Sequence, residues 1–152
     1  MNLSKTAGLI IAMLPFLAQA APNANGLLTV PSQYNATETV ELIEKTVTDK
    51  GMTVFGVVDH QKAAQDNGLT MPAATVVLFG SPKVGTPIMI EHPTIAIDLP
   101  LKALVWEDKA GKVFVSLNQA EFLGNRHEVP QELSQKLAGA EKLLSNTVSA
   151  GK

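Results

Sequence analysis

The sequence predicts an α+β domain built on a mostly antiparallel sheet. Two amphipathic helical stretches lie towards the ends of the chain, and short apolar strands separated by turns lie between them. Residues 108–111 (Asp-Lys-Ala-Gly) are typical of the tight turn of an antiparallel hairpin. Helices at the ends of a run of strands are typical of a fold in which the helices cover one side of the sheet.

The first 20 residues have the layout of a secretory signal peptide. Lys5 provides the positive charge, residues 9–17 are apolar apart from Pro15, and Ala18-Gln19-Ala20 has the small-x-small pattern that a signal peptidase cleaves. The apolar part is shorter than the roughly 20 residues needed to span a bilayer. We therefore expect cleavage after Ala20 and a periplasmic or secreted protein, with no membrane association after processing; an uncleaved anchor is the alternative.

The first half of the domain contains a helix with clear ends. Residues 27–31 are predicted to form a strand after a polar lead-in at 21–26. The helix at 36–50 begins with Asn35 and Glu38 at capping-box spacing, and Gly51 ends it. Strands are predicted at 52–59 and 73–79, with a polar helical turn at 60–70 between them.

The second half of the domain contains the hairpin and a final helix. After a turn at 80–85, Thr86-Pro87 predicts the start of a short helix, and His92-Pro93 predicts the start of another. Residues 95–99 are also compatible with a strand. Strands at 101–108 and 112–118 precede a loop or helical turn at 119–127, a helix at 132–148 and a flexible tail at 149–152. The order is β-α-β-β-(short α)-β-β-α, in a single domain at 27–148.

Composition excludes several classes of function. Without Lys5 the chain has 11 basic and 14 acidic residues, a slightly acidic balance that argues against nucleic acid as a partner. It has no cysteine, which excludes disulfides, cysteine-bound zinc, iron–sulfur clusters and covalent haem. No serine lies in a G-x-S-x-G or S-x-x-K setting. The glycines at 80 and 85 have phosphate-loop spacing, but Thr86 stands where the lysine is needed.

Five polar residues are the candidate ligand-binding residues, because each lies beside an apolar strand or within an apolar run. Binding groups are often found where strand ends meet loops. Asp98 interrupts an apolar stretch, where it either caps a helical segment, pairs with a cation such as Arg126, or faces a pocket. The five residues are His60, Asp98, Asn118, Arg126 and His127.

Several sequence motifs together resemble the DUF302 family, a bacterial domain of unknown function. The resemblance extends over about residues 27–148. One position departs from the family pattern, since Leu117 stands where a tyrosine is expected before Asn118, so a site lined by that tyrosine would be altered here. The motifs are His60 after the second strand, F-G-S-P-K-V-G-T-P (79–87), D-L-P-L (98–101), V-W-E-D (105–108) and Arg126-His127.

The resemblance implies a β-α-β(4)-α core similar to the TATA-box-binding-protein-like folds, and homodimers. It implies no activity. Together with the residues above, it favours a periplasmic domain that binds a small polar or anionic ligand without catalysis, with Arg126 pairing with the anion. Two alternatives remain open: a structural or dimerisation module, and a metal or non-covalent haem site using His60 or His127. No cofactor is predicted, and the sequence names no reaction.

Overall fold

The computed structural model describes residues 23–151. The predicted signal peptide, the first two residues of the lead-in and Lys152 lie outside the described residues. A five-stranded sheet with the strand order β1-β5-β4-β3-β2 organises the domain, and every neighbouring pair of strands is antiparallel. The α+β prediction is confirmed, and the two long helices with the five strands follow the order β-α-β(4)-α.

The elements follow the predicted order, with short helices between them. The strands are β1 (Leu27–Pro31), β2 (Thr53–Asp59), β3 (Ala74–Gly80), β4 (Leu101–Glu107) and β5 (Val113–Asn118). The helices are α1 (Ala36–Asp49), α2 (His60–Asp66), α3 (Pro82–Glu91), α4 (Ala120–Arg126) and α5 (Gln131–Ser149), with a 3₁₀ segment at Pro93–Ile97.

The main core lies between one face of the sheet and the long helices α1 and α5. Ile43 and Val47 of α1, together with Leu144 and Val148 of α5, are fully buried against the inward residues of the strands. The predicted capping box starts α1, since the Asn35 side chain accepts from the backbone of Glu38 and Glu38 reaches back. Because both helices contribute residues to this core, they cover the same side of the sheet.

A second, smaller core joins the short helices to α5. Ile88 of α3, Ile95 of the 3₁₀ segment and Leu137 of α5 are buried together there. Helix α4 lies very close to α5: a Cβ added at Gly124 would lie 2.7 Å from the Cβ of Ser134, so only glycine fits without displacement. This core fixes the short helices to α5.

Three predicted features in the second half of the domain differ from the structure. Helix α3 begins at Pro82 with Ser81 as its N-cap, inside the predicted turn at 80–85, and Pro87 lies within it. Proline is favoured in the first turn of a helix, and Pro82 takes that role in place of Pro87. Residues 95–99 do not form a strand, because Pro93 starts the 3₁₀ segment that ends at Ile97. Ser149, predicted in the tail, is the last residue of α5.

Neither α1 nor α5 packs on the other face of the sheet. Trp106 and Phe114 stack there with ring centroids 4.9 Å apart, and the Trp106 indole N–H donates to Ser116 Oγ. Residues 23–151 contain no helix with the length and apolar character needed to cross a bilayer.

Candidate functional site

Three of the five predicted site residues meet at one polar cluster. Asp98 directly follows the 3₁₀ segment, and Arg126 and His127 lie at the end of α4. His127 Nε2 lies 2.5 Å from Asp98 Oδ2, and the nearest guanidinium nitrogen of Arg126 lies 3.3 Å from the same oxygen. Asp98 thus pairs with the cation Arg126, which is one of the roles that its position in an apolar run suggested.

The imidazole of His127 lies between two oxygen atoms. Its Nδ1 is 3.0 Å from Thr94 Oγ1, on the side opposite Asp98. Only 6% of the His127 side chain is exposed, against 14% for Asp98 and 53% for Arg126. An ionised carboxylate only accepts hydrogen bonds, so neutral His127 donates from Nε2 to Asp98 and accepts the Thr94 hydroxyl hydrogen at Nδ1.

His60 and Asn118 do not belong to this cluster. His60 begins α2 directly after Asp59, which pairs with Thr75 near the start of β3. Asp98 lies near the other end of β3, where Phe79 pairs with Leu101. Because a strand rises about 3.4 Å per residue, Thr75 and Phe79 are roughly 14 Å apart along β3. The five residues therefore do not form one pocket.

Asn118 instead faces the uncovered side of the sheet. It is the last residue of β5 and pairs with Leu27 of β1. With Lys102, Trp106 and Ser116 it lines a depression of about 420 Å³. The Lys102 ammonium in turn donates to the backbone oxygens of Asp98 and Pro100. Asn118 thus lines the same depression as Lys102, which contacts the backbone of Asp98. It makes no hydrogen bond to the polar cluster in the described structure.

A larger cleft lies between α3 and α5. It has a volume of about 580 Å³ and also touches the start of β2 and the turn that leads into β4. Its walls are mainly apolar side chains of Phe55, Val84, Met89, Leu99, Leu137 and Leu143. From the sequence, Val84 was predicted in a turn and the other residues in helices or strands, and none in a site, because an apolar face has the same pattern whether it lines a core or a cleft.

One wall of this cleft includes a glycine of α5. Gly139 lines it from α5, and a Cβ at that position would meet no atom within 4 Å. Glycine inside a helix costs about 1 kcal/mol relative to alanine, so Gly139 is an unusual residue for the middle of α5. Gly139 is the one sequence signal that could have pointed to the cleft.

Four polar side chains complete the lining of the cleft. Lys50 follows α1 and Lys136 lies on α5, and both are exposed. Within the described residues neither lysine forms an ion pair. Ser81, the N-cap of α3, makes no capping hydrogen bond through its side chain, and Thr86 lies on the same helix. The cleft therefore combines an apolar body with two cations in contact with solvent.

Glu141 of α5 supports the helix that carries Arg126 and His127. Its carboxylate accepts the backbone N–H of Ala120, the first residue of α4. Burial raises the pKa of Glu141 above its ordinary value of 4.5, although the hydrogen bond from Ala120 acts in the opposite direction and Glu121 adds a smaller repulsion. The Glu141 carboxylate at the start of α4 is therefore partly shielded from solvent.

A metal or non-covalent haem site at His60 or His127 stays a prediction. In residues 23–151 no group of three or more His, Cys, Asp or Glu side chains is placed to hold a metal ion. His127 already has an oxygen partner on each ring nitrogen.

The comparison with family models decides the relationship of the chain. The model described as "Domain of unknown function DUF302" matches residues 28–147. The chain belongs to the DUF302 family. This confirms the resemblance based on the motifs around Phe79, Asp98 and Arg126.

A solved DUF302 structure has the same fold. The crystal structure of the uncharacterized conserved protein DUF302 from Bacillus stearothermophilus matches with a TM-score of 0.70. It covers 82% of this chain and 97% of the other, at 20% sequence identity. At that identity the likeness shows the fold alone.

The chain also matches part of longer curated proteins. The chain is 40% identical over 105 residues to "Fluoride-specific ion channel FluC 1" of Brucella suis, a match that covers 69% of this chain and 41% of that protein. The FluC 1 of Brucella abortus matches at the same identity, with 39% of its length covered. The chain thus spans about two fifths of these relatives.

Proposed function

We propose that this DUF302 protein is an exported binding domain whose ligand is a small amphipathic anion held in the cleft between α3 and α5. The observation that carries the proposal is the pairing of an apolar cleft of about 580 Å³ with the exposed lysines Lys50 and Lys136. Small-molecule sites typically measure about 300–1,000 Å³ and combine apolar walls with a few polar groups. An apolar body would fill the cleft, and a carboxylate or sulfonate head would face the lysines.

The polar cluster suits such a ligand less well. The carboxylate of Asp98 already accepts from Arg126 and His127, so the charge of Arg126 is largely balanced. The cleft lysines have no such partner among the described residues. The anionic ligand that the sequence predicts would therefore bind beside Lys50 and Lys136, and not at Arg126.

Export is part of the proposal and rests on the sequence of residues 1–20. Cleavage after Ala20 would release a chain that begins at Ala21. The intact mass of the protein recovered from a periplasmic extract measures this directly. A chain that retains residues 1–20 and remains with the membrane fraction would contradict export in the cleaved form.

The binding proposal is tested with two dyes that differ only in charge at the head. Anilinonaphthalene sulfonate is an amphipathic anion, and phenylnaphthylamine has the same aromatic body without the sulfonate. We expect both to bind, and we expect the double variant Lys50→Gln/Lys136→Gln to weaken the sulfonate by about five- to twentyfold, since an exposed ion pair contributes up to about 1 kcal/mol. The neutral dye should bind the variant as it binds the native protein.

Lys142→Gln is the matched control, because Lys142 is exposed on α5 and does not line the cleft. It should leave the affinity for both dyes unchanged. Equal losses in Lys142→Gln and in the double variant would show that net charge, rather than the cleft, attracts the sulfonate, and would overturn the proposal.

A further inference from the structure

The side chains of Thr94, His127 and Asp98 form a continuous hydrogen-bonded series of hydroxyl, imidazole and carboxylate. The two links measure 3.0 Å and 2.5 Å, both within hydrogen-bonding distance. A hydroxyl that donates to an imidazole, which donates in turn to a carboxylate, is the arrangement that activates a hydroxyl nucleophile. Such arrangements are recognised from geometry and roles rather than from sequence order.

The accessibility of the three groups suits the same chemistry. Thr94 is exposed, whereas the His127 side chain is 6% exposed and that of Asp98 is 14% exposed. The base and its carboxylate partner are thus shielded, and the hydroxyl at the end of the series faces solvent. The turn of the 3₁₀ segment brings Thr94 and Asp98 to opposite ring nitrogens of one imidazole.

We propose that this cluster is an acyl-transfer site, with Thr94 as the nucleophile for carboxylic esters, His127 as the general base and Asp98 as the positioning residue that holds the imidazole tautomer. The sequence alone does not indicate this site, because no serine motif is present and Pro93-Thr94 has the pattern of a helix start.

The reaction balances with water as its only co-substrate. Thr94 Oγ1 attacks the ester carbonyl carbon while its proton passes to His127 Nδ1. The C–O bond to the alcohol then breaks, and the alcohol leaves with that proton, which gives an acyl-threonine. Water next attacks the acyl carbon and gives a proton to His127, and the second collapse releases the carboxylic acid and returns the proton to Thr94.

The test uses p-nitrophenyl acetate and the purified protein. Thr94→Val removes the hydroxyl and keeps the shape, so kcat/KM should fall by about 10²-fold or more, as general acid–base catalysis of this kind supplies about 10²–10⁴-fold. Thr94→Ser keeps the hydroxyl and should retain activity within about tenfold of the native rate. Acid quenching during turnover should reveal one acetyl group on the peptide that contains Thr94.

Two controls separate the proposed site from incidental reactions of surface side chains. His60→Gln removes an exposed histidine at the far end of the sheet and should leave the rate unchanged. For Asp98 the readout is spectroscopic: a low-field imidazole N–H proton resonance should be present in the native protein and absent from both Asp98→Asn and His127→Gln. Thr94→Val should retain this resonance.

The proposal is overturned if Thr94→Val hydrolyses the ester as fast as the native protein, or if His127→Gln does. It is equally overturned if the native protein carries no acetyl group on Thr94, a measurement that does not depend on the folding of any variant. Loss of activity in His60→Gln comparable with that in Thr94→Val would assign the hydrolysis to exposed histidines and contradict it as well.

Discussion

Asp98 illustrates how far a single residue could be understood from the sequence. A carboxylate inside an apolar run needs a partner, and the sequence offered Arg126 as one. The structure provides Arg126 and adds His127, the next residue along the chain. Thr94 could not be predicted, because its role depends on the turn of a five-residue 3₁₀ segment that places it on the far ring nitrogen of His127.

Glu141 gives a prediction about stability and pH at the same scale. Its pKa is raised in the folded state, mainly because burial disfavours the charged form. Between its ordinary value of 4.5 and the raised pKa, the folded protein binds more protons than the unfolded chain. The contribution of Glu141 to the free energy of unfolding is therefore largest below that range and falls as the pH rises through it.

We expect Glu141→Gln to remove this dependence while the amide oxygen still accepts from Ala120. Urea unfolding at a series of pH values measures it: the stability of the native protein relative to Glu141→Gln should decline as the pH rises above about 4.5. Glu41→Gln, at an exposed position on α1, is the matched control and should show no such trend. An increase in the stability of the native protein relative to Glu141→Gln as the pH rises would contradict this expectation.

At the scale of elements, the sequence was most informative where local chemistry sets the boundary. The capping box of Asn35 and Glu38 placed the start of α1 correctly, and the positive φ of 81° at Gly111 fits the predicted hairpin turn. Both features depend on residues within four positions of one another. Local signals of this kind do not need the rest of the fold.

The short helices were less predictable because tertiary packing decides them. Both Pro82 and Pro87 are compatible with the first turn of a helix, and the pattern Thr86-Pro87 predicted the second as the start. Burial of Gly85 and Ile88 explains why the helix begins earlier, since it extends the face that packs beside α5. Residues 119–127, predicted as a loop or a helical turn, contain α4, whose close approach to α5 requires Gly124.

For the whole molecule, the β-α-β(4)-α order and the family were predicted from the sequence, but the cleft between α3 and α5 was not. The cleft is formed by α3, α5 and the ends of two strands, which are distant in the chain. Its lining residues have the same apolar pattern as the core residues of those elements. The homodimer implied by the family resemblance stays a prediction, which the mass of the protein in solution would check.

The central claim is that the cleft between α3 and α5 binds the ligand, and Gly139→Leu tests it most directly. Gly139 lines the cleft, so a side chain at this position enters its open space, and leucine is about 0.8 kcal/mol more favourable than glycine in a helix, so the fold should be at least as stable. Gln135→Leu is the control, because it adds the same side chain to an exposed position of α5 outside the cleft.

The measurement is the dissociation constant of anilinonaphthalene sulfonate for the three proteins, from fluorescence titration. Filling the cleft should weaken binding by about tenfold or more in Gly139→Leu, which corresponds to about 1.4 kcal/mol, and Gln135→Leu should bind as the native protein does. Native affinity in Gly139→Leu would contradict the account, because the dye would then be bound elsewhere.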